Sequence, residues 1–212
     1  IGPTLKGGGT ARYSYTTFAP IHKYEELVLD YTTTMVSPKN IFFPDNQVLY
    51  KFEKDANGNI KIEDVEDVWQ ETKIFFGMHP CDISALLRLD KVLLEEKFED
   101  KKYRNKREKT IIIGITCKEP HEACFCNTSG SGPDIDRGYD LLFTDIGEKY
   151  FVRAGTDTGE KLVEADYFKM ATEKYREKRD EQIEKVDKAL PGTLDLEEIA
   201  QNMSERDLDQ LL

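Results

Sequence analysis

The 212-residue chain is short of most residues that mark a specialised protein class: one Trp, three His and four Cys. No apolar run approaches the ~20 residues needed to span a bilayer as a helix. The longest stretches, such as Ile111–Ile115, are strand-sized. The opening residues, IGPTLKGGGT, lack the basic-then-apolar form of a secretory signal. The chain starts at Ile1, which leaves its true start open, and the reading is of a cytoplasmic protein. Positive charge is outnumbered, with 30 Lys and Arg against 41 Asp and Glu and a net charge of −11. Such a surface repels nucleic-acid phosphate and anionic lipid, so neither is a partner. It suits basic protein partners but names none. There is no Ser-His-Asp set and no Walker loop, and KGGGT (Lys6–Thr10) lacks the strand–GxGxxG–helix setting of a nucleotide site. A chain of this size can bury a core without disulfide staples, so in a reducing compartment its thiols point towards metal.

What is present divides into recognisable segments. Residues 1–22 read as an extended lead-in, and YEELVLDY (Tyr24–Tyr31) as a short helix. SPKNIFFPDN (Ser37–Asn46) holds an apolar knot between prolines and reads as a loop packed on the core. VLYKFEK and IKIEDVEDVW alternate about Asn57-Gly58, a hairpin with a tight turn. KIFFGM (Lys73–Met78) is a buried strand leading into a helix stepped by Ile83, Leu86, Leu87, Leu93 and Leu94, with Asp82 as a cap or first-turn acid. KKYRNKREKT (Lys101–Thr110) reads as a basic surface connector, in which Tyr103, Arg104 and Arg107 are either solvated or a docking spot for an acidic protein. TIIIGIT (Thr110–Thr116) has the continuous apolar character of a parallel strand buried on both faces. Strand, helix and strand make a βαβ unit. YDLLFTDIG and EKYFVRAG form a hairpin across Gly147. From Glu164 the pattern is helical, with a thin stripe of Tyr167, Met170, Ala171, Tyr175, Ile183, Val186 and Leu190. Pro191-Gly192 stops it before a last helical stretch capped by Thr193 or Asp195. The fold class is α+β or α/β: a mixed sheet around a βαβ unit, with residues 1–163 as the main domain and 164–212 as a helical extension.

Three of the four cysteines fall within ten residues, in CKEPHEACFCNTSGSGP (Cys117–Pro133). In a βαβ unit both strand ends lie on one sheet margin, which sets Cys81 near Cys117. Cys81, Cys117, Cys124 and Cys126 then number what a [4Fe-4S] cluster or a structural zinc requires. The spacing C-x₆-C-x-C with a distant fourth indicates a metal more than it indicates which one. A helix N-terminus beside Cys81 is expected to favour its thiolate, and the Gly, Ser and Thr run to donate hydrogen bonds to cluster sulfurs. His79 and His121 flank the thiols as ligands, bases or supporting residues, and a Cys117–His121 nucleophile is a remote alternative.

At these residues the chain resembles the β-type iron–sulfur electron-transfer subunits of anaerobic oxidoreductases. That family includes the iron–sulfur electron-transfer component of anaerobic sulfite reductase and the β subunit of cytoplasmic [NiFe] hydrogenase/sulfhydrogenase. The resemblance rests on LVLDYTTTMVSPKNIFFPDNQVLYKF (Leu27–Phe52), FFGMHPCDISALLRLDKVLL (Phe75–Leu94) and the cysteine loop followed by GYDLLFTDIG. The family loop has Gly-Gly where His121-Glu122 stand here. The resemblance implies a non-catalytic electron-transfer subunit. It would relay electrons between a flavin/NAD(P)-binding subunit or ferredoxin and a catalytic subunit, with Cys81, Cys117, Cys124 and Cys126 as cluster ligands. Relatives usually continue into a ferredoxin-like segment with two C-x₂-C-x₂-C-x₃-C-P runs, which this sequence lacks. The rival readings are a structural zinc domain and a metal-free docking domain of a multisubunit complex.

Overall fold

The computed structural model describes residues 1–6, 15–65, 69–95, 99–195 and 197–199. The lead-in forms two strands, β1 (Gly2–Lys6) and β2 (Tyr15–Ala19), paired antiparallel. Most of the KGGGT stretch lies outside the described residues. The helix read at Tyr24–Tyr31 shrinks to a single 3₁₀ turn, Tyr24–Glu26. Beyond it the backbone is recruited by its neighbours: the Val28 amide donates to the Pro3 carbonyl (2.9 Å), and the Tyr31 hydroxyl reaches the Gly77 carbonyl (2.6 Å). Long-range partners thus override a weak local helical preference. The apolar knot contains a one-turn helix, α1 (Lys39–Phe42), that drives Phe42 into the core.

The hairpin is formed by β3 (Tyr50–Lys54) and β4 (Ile60–Asp64), with Phe52 opposite Ile62. Its turn is looser than the two-residue type. Only Gly58 has positive φ, and the Asp55 carboxylate accepts from the amides of Asn57 and Asn59 (2.9 and 2.8 Å). A side-chain acceptor thereby organises the loop that Asn57-Gly58 alone was expected to make.

The central sheet has four strands in the order β5-β6-β7-β8. Strands β5 (Lys73–Met78) and β6 (Thr110–Ile115) are parallel, as is β7 (Leu141–Asp145) to β6, while β8 (Tyr150–Ala154) returns antiparallel across Gly147. The βαβ crossover contains two helices. The first, α2 (Pro80–Leu93), buries Ile83 and Leu86. The second, α3 (Lys101–Glu108), replaces the expected surface connector. Asp100 caps α3 through the amides of Lys102 and Tyr103, each at 2.9 Å. Tyr103 is buried, and its hydroxyl donates to Asp90 (2.7 Å), which also receives Arg107 through two nitrogens (2.7 and 2.8 Å). Tyr103 and Arg107 are thus locked onto α2 and form no docking spot. The core gathers Phe42, Phe75, Met78, Ile83, Leu86, Tyr103 and Leu142, all under 2% exposed.

After the cysteine loop and its one-turn helix α4 (Cys126–Ser129), strands β7 and β8 lead to α5 (Asp157–Leu162) and then α6 (Glu173–Ala189). The long helix therefore starts nine residues later than Glu164. Tyr167 and Met170 are not on its stripe but 80% and 92% exposed, in a stretch pinned by Phe168 against Phe143 (ring centroids 6.5 Å apart). Helix α6 is anchored by buried Val186 and by an Arg179–Asp134–Arg153 ion-pair triad. Asp195 caps the amides of Glu197 and Glu198, and the residues after 199 lie outside the described set. Among the described residues no helix is long and apolar enough to cross a membrane.

Candidate metal centre

The two parallel strands deliver their C-terminal ends to one sheet margin. Strand β5 runs into α2, which places Cys81 in that helix's first turn after His79 and Pro80. The register of β5 shifts between Phe76 and Met78, where Gly77 adopts φ of +84°. A side chain at Gly77 would be strained and would press on Pro3 and Leu29 at about 3.1 Å. The bulge turns the chain into α2 just ahead of the cysteine. Strand β6 ends at Ile115 and hands over to Thr116 and Cys117.

Cys117 lies within electrostatic reach of the other three thiols. Burial pushes the Cys117 thiol well above its usual range, and the neighbouring Cys81, Cys126 and Cys124 push it further. Cys81 is pushed up to about 12 by desolvation, then by Asp82, Cys126 and Cys124. Cys126 is raised by desolvation and by Cys124. Cys81 keeps exposed surface and the others are half-buried, so the site lies at the molecular surface with protein packed around its sulfurs. Desolvation and like charge thus act against the Cys81 thiolate that the helix N-terminus is expected to favour. All four thiols are free. Among the described residues no three His, Cys, Asp or Glu side chains come together at the spacing of ligands to one metal ion.

The loop is braced rather than open. The His121 amide donates to the Cys124 sulfur (3.2 Å), while the His121 ring nitrogen Nδ1 accepts from the Ala123 amide (3.1 Å). A Cβ on Gly132 would lie 3.3 Å from both Cβ and Sγ of Cys126, so the backbone comes up against that sulfur. The hydroxyls expected to face sulfur are committed elsewhere. Ser129 and Ser131 bond each other (2.7 Å), and the Thr128 hydroxyl accepts from the Leu194 amide (3.0 Å). Asn127 donates to the Pro191 carbonyl (2.9 Å), Arg88 of α2 to the Ser129 carbonyl (2.8 Å), and Gln182 of α6 to the Lys118 carbonyl (3.1 Å). Sequence reading missed these braces because each partner lies 41 to 66 residues away.

His79 is 3% exposed, stacked flat on Tyr31 with ring centroids 4.0 Å apart, and burial lowers its pKa to about 4. It supports the core beside the site as a neutral ring. Asp82 accepts from the Ser37 hydroxyl (2.7 Å), and burial raises its carboxyl above the usual range despite that bond. Burial raises the Cys117 thiol, which opposes the thiolate that a Cys117–His121 nucleophile needs.

No protein-family model and no solved structure matches the chain. Among curated proteins it is 32% identical over 196 residues to the sulfhydrogenase 2 subunit beta of Pyrococcus furiosus, across 91% of this chain. The chain spans about half of that relative's length (55%). The aligned region includes most of the described fold and runs through both sequence stretches that build the cysteine site, and over that length the chain is similar to a sulfhydrogenase β subunit.

Proposed function

We propose that this chain is an iron–sulfur electron-transfer module of a multisubunit redox complex, with Cys81, Cys117, Cys124 and Cys126 holding one [4Fe-4S] cluster. The observation that carries this reading is topological: parallel β5 and β6 end at one sheet margin, where Cys81 and Cys117 follow, and a Cβ on Gly132 would stand 3.3 Å from Cys126 Sγ and 3.7 Å from Pro80, the residue before Cys81. When bound, a cluster would accept and release one electron at a time. The residues of the chain supply its seat. Burial favours the protonated thiols of Cys81, Cys117 and Cys126, which must lose their protons as metal binds, so cationic iron would supply the charge that the site lacks. The His121 amide and the close Gly132 backbone fix the loop sulfurs, while Gln182 of α6 holds the loop at Lys118 and the Pro191 carbonyl just beyond α6 holds it at Asn127. Residues 1–163 form the cluster-binding unit in this reading, and 164–212 the extension that buttresses it. The partners are a flavin/NAD(P)-binding subunit or ferredoxin on one side and a catalytic hydrogenase- or sulfite reductase-type subunit on the other, in the cytoplasm.

The test is anaerobic reconstitution with iron and sulfide followed by dithionite titration. Broad visible absorbance that bleaches on reduction and returns on mild oxidation supports the module. Stoichiometric zinc with no iron or sulfide supports a structural zinc domain instead, and a metal-free chain with four titratable thiols supports a docking domain.

A further inference from the structure

Strand β8 is the last strand of the central sheet, and its outer side is open. Its register is with β7 alone. Among the described residues no backbone or side-chain group outside that ladder bonds to the β8 backbone. Residues from both faces of β8 line a groove of about 1020 Å³, so the groove opens along the strand's free edge. Its far wall is the stretch between α5 and α6, where Phe168 packs on Phe143 and leaves Tyr167 and Met170 facing outward, 80% and 92% exposed. An open sheet edge beside exposed large apolar side chains is the arrangement natural proteins usually cover or blunt.

Charge selects the occupant. The chain carries 41 acidic residues, yet among the described residues none lines this groove, whereas Lys149, Arg153, Lys169 and Arg176 do. Arg153 is held by Asp134, and Arg176 lies 3.8 Å from Glu173. Lys149 donates to the Tyr175 hydroxyl (3.3 Å), and none of its contacts is with a carboxylate. Lys169 meets no partner among the described residues. Two cations without carboxylate partners thus border an apolar strand edge on an acidic protein. A second copy of this chain would bring net charge −11 against a molecule of the same sign, so the acidity must come in a short local segment.

We infer that the β8 edge receives an extended acidic–apolar segment of a partner protein as a fifth strand. Main-chain bonds to β8 would give affinity, alternate apolar side chains would enter the aromatic groove, and the opposite ones would meet Lys149 and Lys169. The inference rests on the reading that the chain is a subunit which docks to others, and it is independent of which metal the cysteines hold.

The test uses the reconstituted full chain and a fluorescein-labelled peptide of about eight residues, long enough to outrun β8 at ~3.3 Å per residue. The peptide alternates Glu with Val, and controls carry Lys for Glu or Pro at alternate positions. The expected result is saturable binding of the Glu peptide alone, weakened by salt, with slowed deuterium exchange at the amides of 150–154. Lys149→Glu with Lys169→Glu should weaken binding by at least about tenfold, and the exposed single change Lys169→Glu should weaken it less while leaving thermal stability unchanged. Equal binding of the Lys peptide, unprotected β8 amides, or binding of flavin mononucleotide to the groove in place of the peptide would overturn the inference. So would a dimer in sedimentation that the lysine changes dissolve. Iron content measured on the same samples separates this outcome from failure of the cluster reading.

Discussion

Gly132 approaches Cys126 so closely that a methyl group there has nowhere to go without moving the sulfur. A Cβ would stand 3.3 Å from Cys126 Sγ and 3.7 Å from the Pro80 Cβ. Gly132→Ala should therefore leave the far-ultraviolet spectrum and folding midpoint nearly unchanged while lowering the iron retained after anaerobic desalting by several-fold. Full iron retention would show that the loop has more room than its geometry indicates. His79 makes a second prediction at this scale. Its neutral ring is stacked on Tyr31, and burial holds its pKa at about 4, below the ordinary value of 6.5. The unfolded chain binds a proton at a higher pH than the folded one does. The stability conferred by the neutral ring is thus complete above about pH 6.5 and is lost as pH falls towards about 4, by roughly 3 kcal/mol in total. Urea midpoints of metal-free protein across that range should show this loss, and His79→Gln should flatten that part of the profile.

Helix α3 shows what element-scale packing adds. Its sequence, KKYRNKRE, carries no apolar stripe, which is why it reads as a solvated connector. It is held by Asp90 of α2, which accepts from Tyr103 and from two nitrogens of Arg107. Desolvation alone would lower Arg107, but the bonds to Asp90 keep it above its usual value. Asp90→Ala removes the carboxylate from a mostly buried guanidinium and leaves the Tyr103 hydroxyl only its long contact to the Leu86 carbonyl (3.4 Å), and should cost about 2–3 kcal/mol in chemical denaturation. A loss under about 0.5 kcal/mol, typical of an exposed pair, would remove Asp90 from this role. The contrast with β5 and β6 explains what could be read from sequence. KIFFGM and TIIIGI are continuous apolar runs, so local composition suffices to identify buried parallel strands. The four cysteines were legible for the same reason: their chemistry is intrinsic to the residues. The end of the Tyr24–Tyr31 helix after one turn, the late start of α6 and the braces on the cysteine loop depend on partners far along the chain. Gln182 to Lys118 and Leu194 to Thr128 leave no local pattern. The almost entirely charged run Lys174–Glu181 hides the Arg179 that reaches Asp134.

At the scale of the whole molecule, the ends of two parallel strands bring Cys81 and the cysteine loop to one margin of the sheet, Gln182 of α6 holds that loop at Lys118, and β8 at the sheet's edge pairs with β7 alone among the described residues. The proposed relay requires all four cysteines to act together on one cluster. The decisive experiment is iron and sulfide quantification on anaerobically reconstituted wild type and on the four single Cys→Ser variants, with circular dichroism to verify folding. About four iron and four sulfide per wild-type chain are expected, with a large loss in every variant, Cys81→Ser included. Full iron and sulfide in a folded Cys81→Ser protein, or zinc in place of both in the wild type, would refute a shared cluster.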